Sequence, residues 1–261
     1  MSKATVTLDG EVAELVINGP PLNLFDAGMI TDVESAIAEV GTHVREHRAR
    51  AMLLRAEGKV FCAGVDVHEF EGLSTAEGSR LMARFLSAAQ GLEALPVPTV
   101  AVVHGLNLTI GMELSLACDM IWAATDASFG LVEATVGLTP GAGGTQRLVA
   151  RAGYARAAEF VMTGDVYAAS VMHEWGVLNR LVPAAELLAQ ARAFAARLAA
   201  GPTAALSAAK TILQAARDHG VAAADAITPR AAGAVFATDD LPAGLASLLR
   251  SGPRKAVFTG R

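Results

Sequence analysis

The chain has 261 residues, of which 52% are hydrophobic and 18% charged, with a formal net charge of −5. That length suits one compact unit, or one with a helical appendage, and the apolar content is ample for a core. The negative balance excludes nucleic acid and an anionic membrane surface as expected main partners. No apolar run is long enough to span a bilayer, and the start MSKATVTLDG lacks the apolar core of a signal peptide. With only two cysteines, Cys62 and Cys118, a reducing, cytoplasmic setting is expected.

Residues 5–18 predict a hairpin turning at Asp9-Gly10 and ended by Gly19-Pro20-Pro21. From Asp26 to Val40 the apolar residues Ile30, Val33, Ile37 and Val40 share one helical face. That helix carries Asp26, Asp32, Glu34 and Glu39 and no lysine. The basic stretch His43–Arg50 reads as a solvated helix end or loop before a strand at Ala51–Leu54. Gly58 and Gly64 flank Val60–Ala63, a tight turn into a helix starting near Asp66. The apolar run Val97–Leu108 predicts a buried strand. Thr109 then stands as N-cap to a segment, Met112, Leu114, Leu116, Ala117, Met120 and Ile121, that reads as a helix or a helix entering a strand. With apolar segments near 120 and 177–182, strands alternate with helices, which argues for parallel sheet units. After Pro183 the composition turns alanine-rich, and helices are predicted over 184–199, 202–217, 220–237 and 240–250. The expected division is therefore a core of alternating strands and helices over 1–183 and a helical region over 184–261.

The chemistry concentrates between His104 and Leu148. A helix beginning near Ile110 aims unpaired backbone N–H groups, and the positive end of its dipole, at whatever lies before it. Such a place can hold a developing oxyanion. Glu113 falls in that first turn, where a carboxylate also has the ordinary role of complementing the dipole. Glu133 follows in the apolar stretch Phe129-Gly130-Leu131-Val132-Glu133, where the plain alternative is a solvated turn residue. Gly141-Ala142-Gly143-Gly144 then lets backbone approach a ligand without side-chain obstruction, or is only a flexible turn. Two acids beside an N–H-rich pocket suit a reaction that adds or removes protons next to a carbonyl. Spacing leaves open whether the two acids meet. No clustered His/Cys spacing marks a metal site.

These residues resemble the enoyl-CoA hydratase/isomerase (crotonase) family, most nearly its bacterial hydratases. The resemblance rests on Gly111-Met112-Glu113-Leu114 with Ala117-Cys118-Asp119, on Phe129 to Glu133, and on Pro140-Gly141-Ala142-Gly143-Gly144-Thr145-Gln146-Arg147-Leu148. Phe61-Cys62-Ala63-Gly64-Val65-Asp66 upstream, and Thr163-Gly164-Asp165, Gly176-Val177-Leu178 and Phe236 to Asp240 downstream, fit the same pattern over almost the whole chain. It implies an α/β crotonase (ClpP/crotonase-like) fold of repeated ββα units forming a spiral core, with C-terminal helices that assemble a homotrimer or hexamer. It implies an acyl-CoA thioester substrate and no cofactor beyond that coenzyme A, with Glu113, Glu133 and Gly141 as catalytic positions. The N–H groups of Val65 and Ile110 match the oxyanion donors, and Leu22, Ala63, Val65, Asp66, Val67, His68 and Ile110 match positions lining the acyl-CoA path. The implied reaction is reversible addition of water across the 2,3-double bond of a 2-enoyl-CoA, with double-bond isomerisation or another reaction of the family as the alternative. Thr109 and Ile110 stand where the family commonly has glycines, Val65 where alanine is usual and Val132 where proline is usual. Added bulk near the acyl chain is expected from Ile110.

Overall fold

The computed structural model describes residues 2–261. Strands β1 (Ala4–Asp9) and β2 (Val12–Ile17) form the expected hairpin, pairing antiparallel with Asp9 opposite Val12. Helix α1 (Ala27–Arg45) starts where Asp26 accepts a hydrogen bond from the Met29 N–H at 2.8 Å, and it buries Met29, Ile30, Val33, Ile37 and Val40. β3 (Ala51–Ala56) follows. Helix α2 (Thr75–Glu93) has no counterpart among the expected elements. It buries Phe85, Ala88, Ala89 and Leu92 and is held at its start by a Ser74/Glu77 capping box.

The expected strand over Val97–Leu108 is two strands, β4 (Thr99–Val103) and β5 (Leu106–Leu108), in different sheets. The chain changes sheet at Gly105, where φ is 57° and an added Cβ would sit 2.4 Å from the Lys59 carbonyl oxygen, so only glycine fits. Helix α3 (Ile110–Ala117), β6 (Met120–Ala124) and β7 (Ser128–Gly130) repeat the same step. Helices α4 (Gly144–Ala152) and α5 (Tyr154–Thr163), strand β8 (Val166–Ala168), α6 (Ala169–Glu174) and β9 (Arg180–Val182) complete the sheet-forming part. The alanine-rich remainder forms α7 (Ala184–Ala199), α8 (Thr203–His219), α9 (Val221–Ala234) and α10 (Asp240–Ser251), close to the expected bounds.

The larger sheet runs β1-β2-β3-β4-β6-β9, parallel from β2 onward; the smaller runs β5-β7-β8. Each repeat places one strand in the large sheet and the next in the small one before a helix returns. The loop after β3 joins this scheme through a bridge between Cys62 and Asn107. β2, β3 and β4 are almost wholly buried because α1 covers the β1–β2 end of the large sheet and α7 lies against β2, β3, β4 and β6. Buried Glu14 on β2 binds Arg55 at 2.7 Å and Arg192 of α7 at 2.6 Å, which ties that helix to the sheet.

Two local expectations are corrected. The basic run before β3 is not uniformly solvated: Arg50 is buried, donating to the Gly201 carbonyl, the Thr203 hydroxyl, the Phe258 carbonyl and Glu11. A guanidinium with five donors can satisfy all of these at once, and the partners come from both ends of the chain. The helix expected near Asp66 is a short 3-10 turn, Val67–Phe70, capped by the Asp66 side chain, which accepts from the His68 N–H at 3.1 Å. Among the described residues no helix is long and apolar enough to cross a membrane, and no group of three or more His, Cys, Asp or Glu side chains converges as a metal site.

Candidate active site

The site is built at the start of α3, a helix buried along its whole length. Thr109 precedes it with φ 46° and ψ −121°, a backbone state that glycine adopts freely and a β-branched residue does not. Holding threonine there costs on the order of 1–3 kcal/mol, which the surroundings must offset. They do so by clamping its peptide groups: the Thr109 N–H donates to the Gly130 carbonyl at 2.9 Å, and its carbonyl accepts the Glu113 N–H at 2.9 Å. Thr109 occupies the N-cap position, yet its side chain makes no capping bond, contrary to expectation. Its Oγ1 is buried with no hydrogen-bond partner among the described residues.

Glu113, one turn on, is 2% exposed. Its Oε1 accepts the N–H of Ala142 at 2.8 Å and that of Gly144 at 2.9 Å. The glycine-rich loop is therefore a cradle for a carboxylate. An added Cβ on Gly144 would lie 2.7 Å from Glu113 Cγ, and Gly143 has φ 90°, so both glycines are required. Arg147 on α4 braces the loop by donating to the carbonyls of Ala142 at 3.3 Å and Gly143 at 3.2 Å. Burial pushes the Glu113 carboxyl up to about 7; the Gly144 N–H opposes this, the Glu133 charge adds to it, and Ala142 and Arg147 oppose it further.

Glu133 lies in the 3-10 turn Val132–Val136 after β7 and is buried. Its Oε2 has no partner among the described residues. Burial pushes this carboxyl up to about 7 as well, against the hydrogen bond from its own backbone N–H. The two acids line one cavity of about 140 Å³ together with Ala63, Gly64, Val65, Val67, Thr109 and Gly141. Neutral pH thus finds both groups near the midpoint of titration, the condition for one to give a proton while the other takes one.

The walls supply donors too. Val65 bridges Phe25 through its neighbours, since the Phe25 N–H donates to the Gly64 carbonyl and the Asp66 N–H to the Phe25 carbonyl. Alternation along an extended segment turns the Val65 N–H the other way. Among the described residues neither that N–H nor that of Ile110, the first residue of α3, has a hydrogen-bond acceptor.

Other expected positions fall differently. Ala63, Val65, Val67 and Gly141 line the cavity, whereas Leu22, Asp66 and His68 do not. Leu22 is half-exposed, with its carbonyl accepting the Ala63 N–H at 3.0 Å, and His68 is exposed beside Glu71. The Ile110 side chain is packed in the core and not on the cavity wall, so the bulk expected from it belongs to Thr109. Met82 and Phe85 of α2 also form the wall, and no sequence signal marked them. A larger cavity of about 390 Å³ lies at the far end of α3, away from both glutamates. Its cations are spoken for: Lys210 binds Asp119 at 2.9 Å, Arg217 binds Glu93 at 2.7 Å, and Arg151 donates to the Cys118 carbonyl at 2.5 Å.

Fold and cavity together define a class of enzyme built on repeated ββα units. The sequence model of the family described as "Enoyl-CoA hydratase/isomerase" matches residues 7–260. A "Probable enoyl-CoA hydratase" from Bacillus subtilis (strain 168) is 29% identical over 262 residues, covering 100% of each chain. A "Probable enoyl-CoA hydratase echA8" from Mycobacterium bovis is 32% identical over 257 residues, covering 98% of this chain and 97% of that protein. Among solved structures, an enoyl-CoA hydratase from Bacillus anthracis superposes with a TM-score of 0.92 at 28% identity, covering 99% of this chain and 100% of that one. The chain belongs to the enoyl-CoA hydratase/isomerase family, with the crotonase fold.

Proposed function

We propose that this protein is a 2-enoyl-CoA hydratase, a hydro-lyase acting on an acyl-CoA thioester. The observation that carries the reading is the placement of two buried carboxyl groups, each held near a pKa of about 7, on a cavity lined also by Val65, whose N–H has no acceptor, and by Thr109, the residue before the free Ile110 N–H. The thioester oxygen sits between the N–H groups of Val65 and Ile110. As charge grows on that oxygen the two bonds strengthen, and donors fixed in advance need no reorganisation. Glu113, its Oε1 held by the loop, uses the other oxygen to take a proton from water, and the hydroxyl bonds to C3. Neutral Glu133 delivers its proton to C2, and the reverse sequence is dehydration. Gly141 presents its backbone to the water. The reaction moves no electrons to or from a cofactor. Leu213 of α8, Leu249 of α10 and Phe236 between α9 and α10 are exposed apolar residues, and they support a role for that region in assembling a trimer or hexamer.

The test is loss of enoyl-thioester absorbance with crotonyl-CoA and longer enoyl-CoAs, in the parent and in Glu113→Gln and Glu133→Gln. Each variant should lose at least about 100-fold in kcat, the usual worth of a positioned acid or base. Parental absorbance unchanged at every chain length, or a shifted double bond with no water gained, would refute the hydratase reading.

A further inference from the structure

Among the described residues Thr109 is the one non-glycine on the cavity wall at positive φ, and its buried hydroxyl has no hydrogen-bond partner. Its position is narrowly defined. A Cβ added to Gly64 would meet Thr109 Oγ1 at 2.9 Å and Cγ2 at 3.4 Å, so the side chain lies directly over Gly64. The next peptide after Gly64 carries the Val65 N–H, and the next after Thr109 carries the Ile110 N–H. The hydroxyl thus belongs to the residue before one free donor and packs over the residue before the other. It does not cap α3, and no protein acceptor takes its proton. A hydroxyl proton rotates to suit whatever acceptor arrives, and a buried hydroxyl left unpaired is costly. An oxygen seated between Val65 and Ile110 would be such an acceptor.

We infer that the Thr109 hydroxyl donates a third hydrogen bond to the thioester carbonyl oxygen, which makes Thr109 a catalytic residue. The inference rests on the reading of this cavity as an acyl-CoA site. It also accounts for a threonine in a position whose backbone would be relaxed by glycine. A side-chain donor there adds to the two backbone donors as negative charge gathers on the oxygen.

Three variants separate hydroxyl from shape. Thr109→Val keeps the β-branch and its backbone cost while deleting the hydroxyl; Thr109→Ser keeps the hydroxyl; Thr109→Gly removes both. Two readouts are taken: kcat and KM for crotonyl-CoA, and the carbonyl stretching frequency of bound crotonyl-CoA by infrared difference spectroscopy. The second is measured with Glu113→Gln and Glu133→Gln both present, so that turnover is blocked. Thr109→Val should lower kcat by about 10- to 100-fold with little change in KM, the range set by loss of one oxyanion donor among several. It should also return the stretch part of the way toward its value in water, while Thr109→Ser should keep both readouts near parental. Parental kcat and stretch in Thr109→Val would overturn the inference, and equal losses in the Val and Ser variants would do so in favour of a steric role. If the parent binds crotonyl-CoA without hydrating it, the hydratase reading fails and the stretch alone still decides the role of Thr109. A parent that does not bind crotonyl-CoA overturns both.

Discussion

Arg147 is the perturbation that best tests whether the loop under Glu113 is a positioned device. Its guanidinium spans two groups: the carbonyls of Ala142 and Gly143 on one side, and Glu93 on the other, with Nη2 to Oε2 at 2.6 Å. Replacement by Met preserves much of the volume and deletes every bond. The two carbonyl bonds, at 3.3 and 3.2 Å, are long and worth about 1 kcal/mol together with the cost of burying their acceptors unpaired. Glu93 does not become a bare buried charge, because Arg217 still binds its other oxygen at 2.7 Å. The loss there is well below the 3–5 kcal/mol of an orphaned buried ion and closer to about 2 kcal/mol. The total, about 3 kcal/mol, corresponds to a fall in Tm of roughly 10 °C for a chain of this size.

The functional consequence is separate. Arg147 lowers the Glu113 pKa by its charge, and the N–H groups of Ala142 and Gly144 lower it by hydrogen bonding from the loop that Arg147 braces. Removing Arg147 weakens all three influences, so the Glu113 carboxyl rises above about 7. The acid limb of the kcat profile should then move to higher pH, with kcat at pH 7 down about 5-fold for a rise of about one unit and KM much less affected. Arg147→Lys should restore part of the stability and little of the pH shift, because a point charge cannot grip two carbonyls and a carboxylate together. Thermal scans and pH–rate profiles of the hydration reaction measure both. A Met variant that melts lower but keeps the parental acid limb would refute the positioning argument and leave Arg147 as a structural tie only.

Two further outcomes follow from the same geometry. Glu113 and Glu133 each have a folded pKa of about 7, raised from 4.5. The stability associated with their protonated forms is fully present below pH 4.5 and is lost as pH rises through 7. Gln variants carry no such loss, so Glu133→Gln should gain Tm over the parent between pH 5 and pH 8.5; a constant difference across that range would show that the carboxyl is not perturbed. Arg50→Ala should destabilise by about 3 kcal/mol, as expected for breaking a buried charged network, and should free the C-terminal tail to proteolysis before the rest of the chain. Parental Tm and parental cleavage would refute that role for the residue.

Much of the fold was legible in one dimension. Where one face of an element is buried, hydrophobic period and length settle its type, which is why α1, the β1–β2 hairpin and the alanine-rich helices α7 to α10 match their expected spans. The failures differ in cause. The run Val97–Leu108 is apolar throughout, and burial on both sides erases the period that would show the break at Gly105 between two sheets. Helix α2 was legible yet is absent from the expected elements: Phe85, Ala88, Ala89 and Leu92 recur at helical spacing behind a Ser74/Glu77 capping box. Arg50 looked solvated because charge in a basic run carries no mark of the distant carbonyls that receive it.

The residues themselves determined the inventory of this protein: two glutamates, a glycine loop, a helix start with free N–H groups, and a family pattern over nearly the whole chain. Only the tertiary structure decided which of these meet, because contact between positions on α3, the turn after β7 and the α2 wall depends on how two sheets and their helices pack, and spacing along the chain says nothing of that. It turned the glycine loop into a cradle for Glu113, sent the Ile110 side chain into the core, and set Thr109 on the cavity wall. The physical reason lies in the backbone: Thr109 stands at positive φ before α3, held there by hydrogen bonds to Gly130 and Glu113 that no local pattern records.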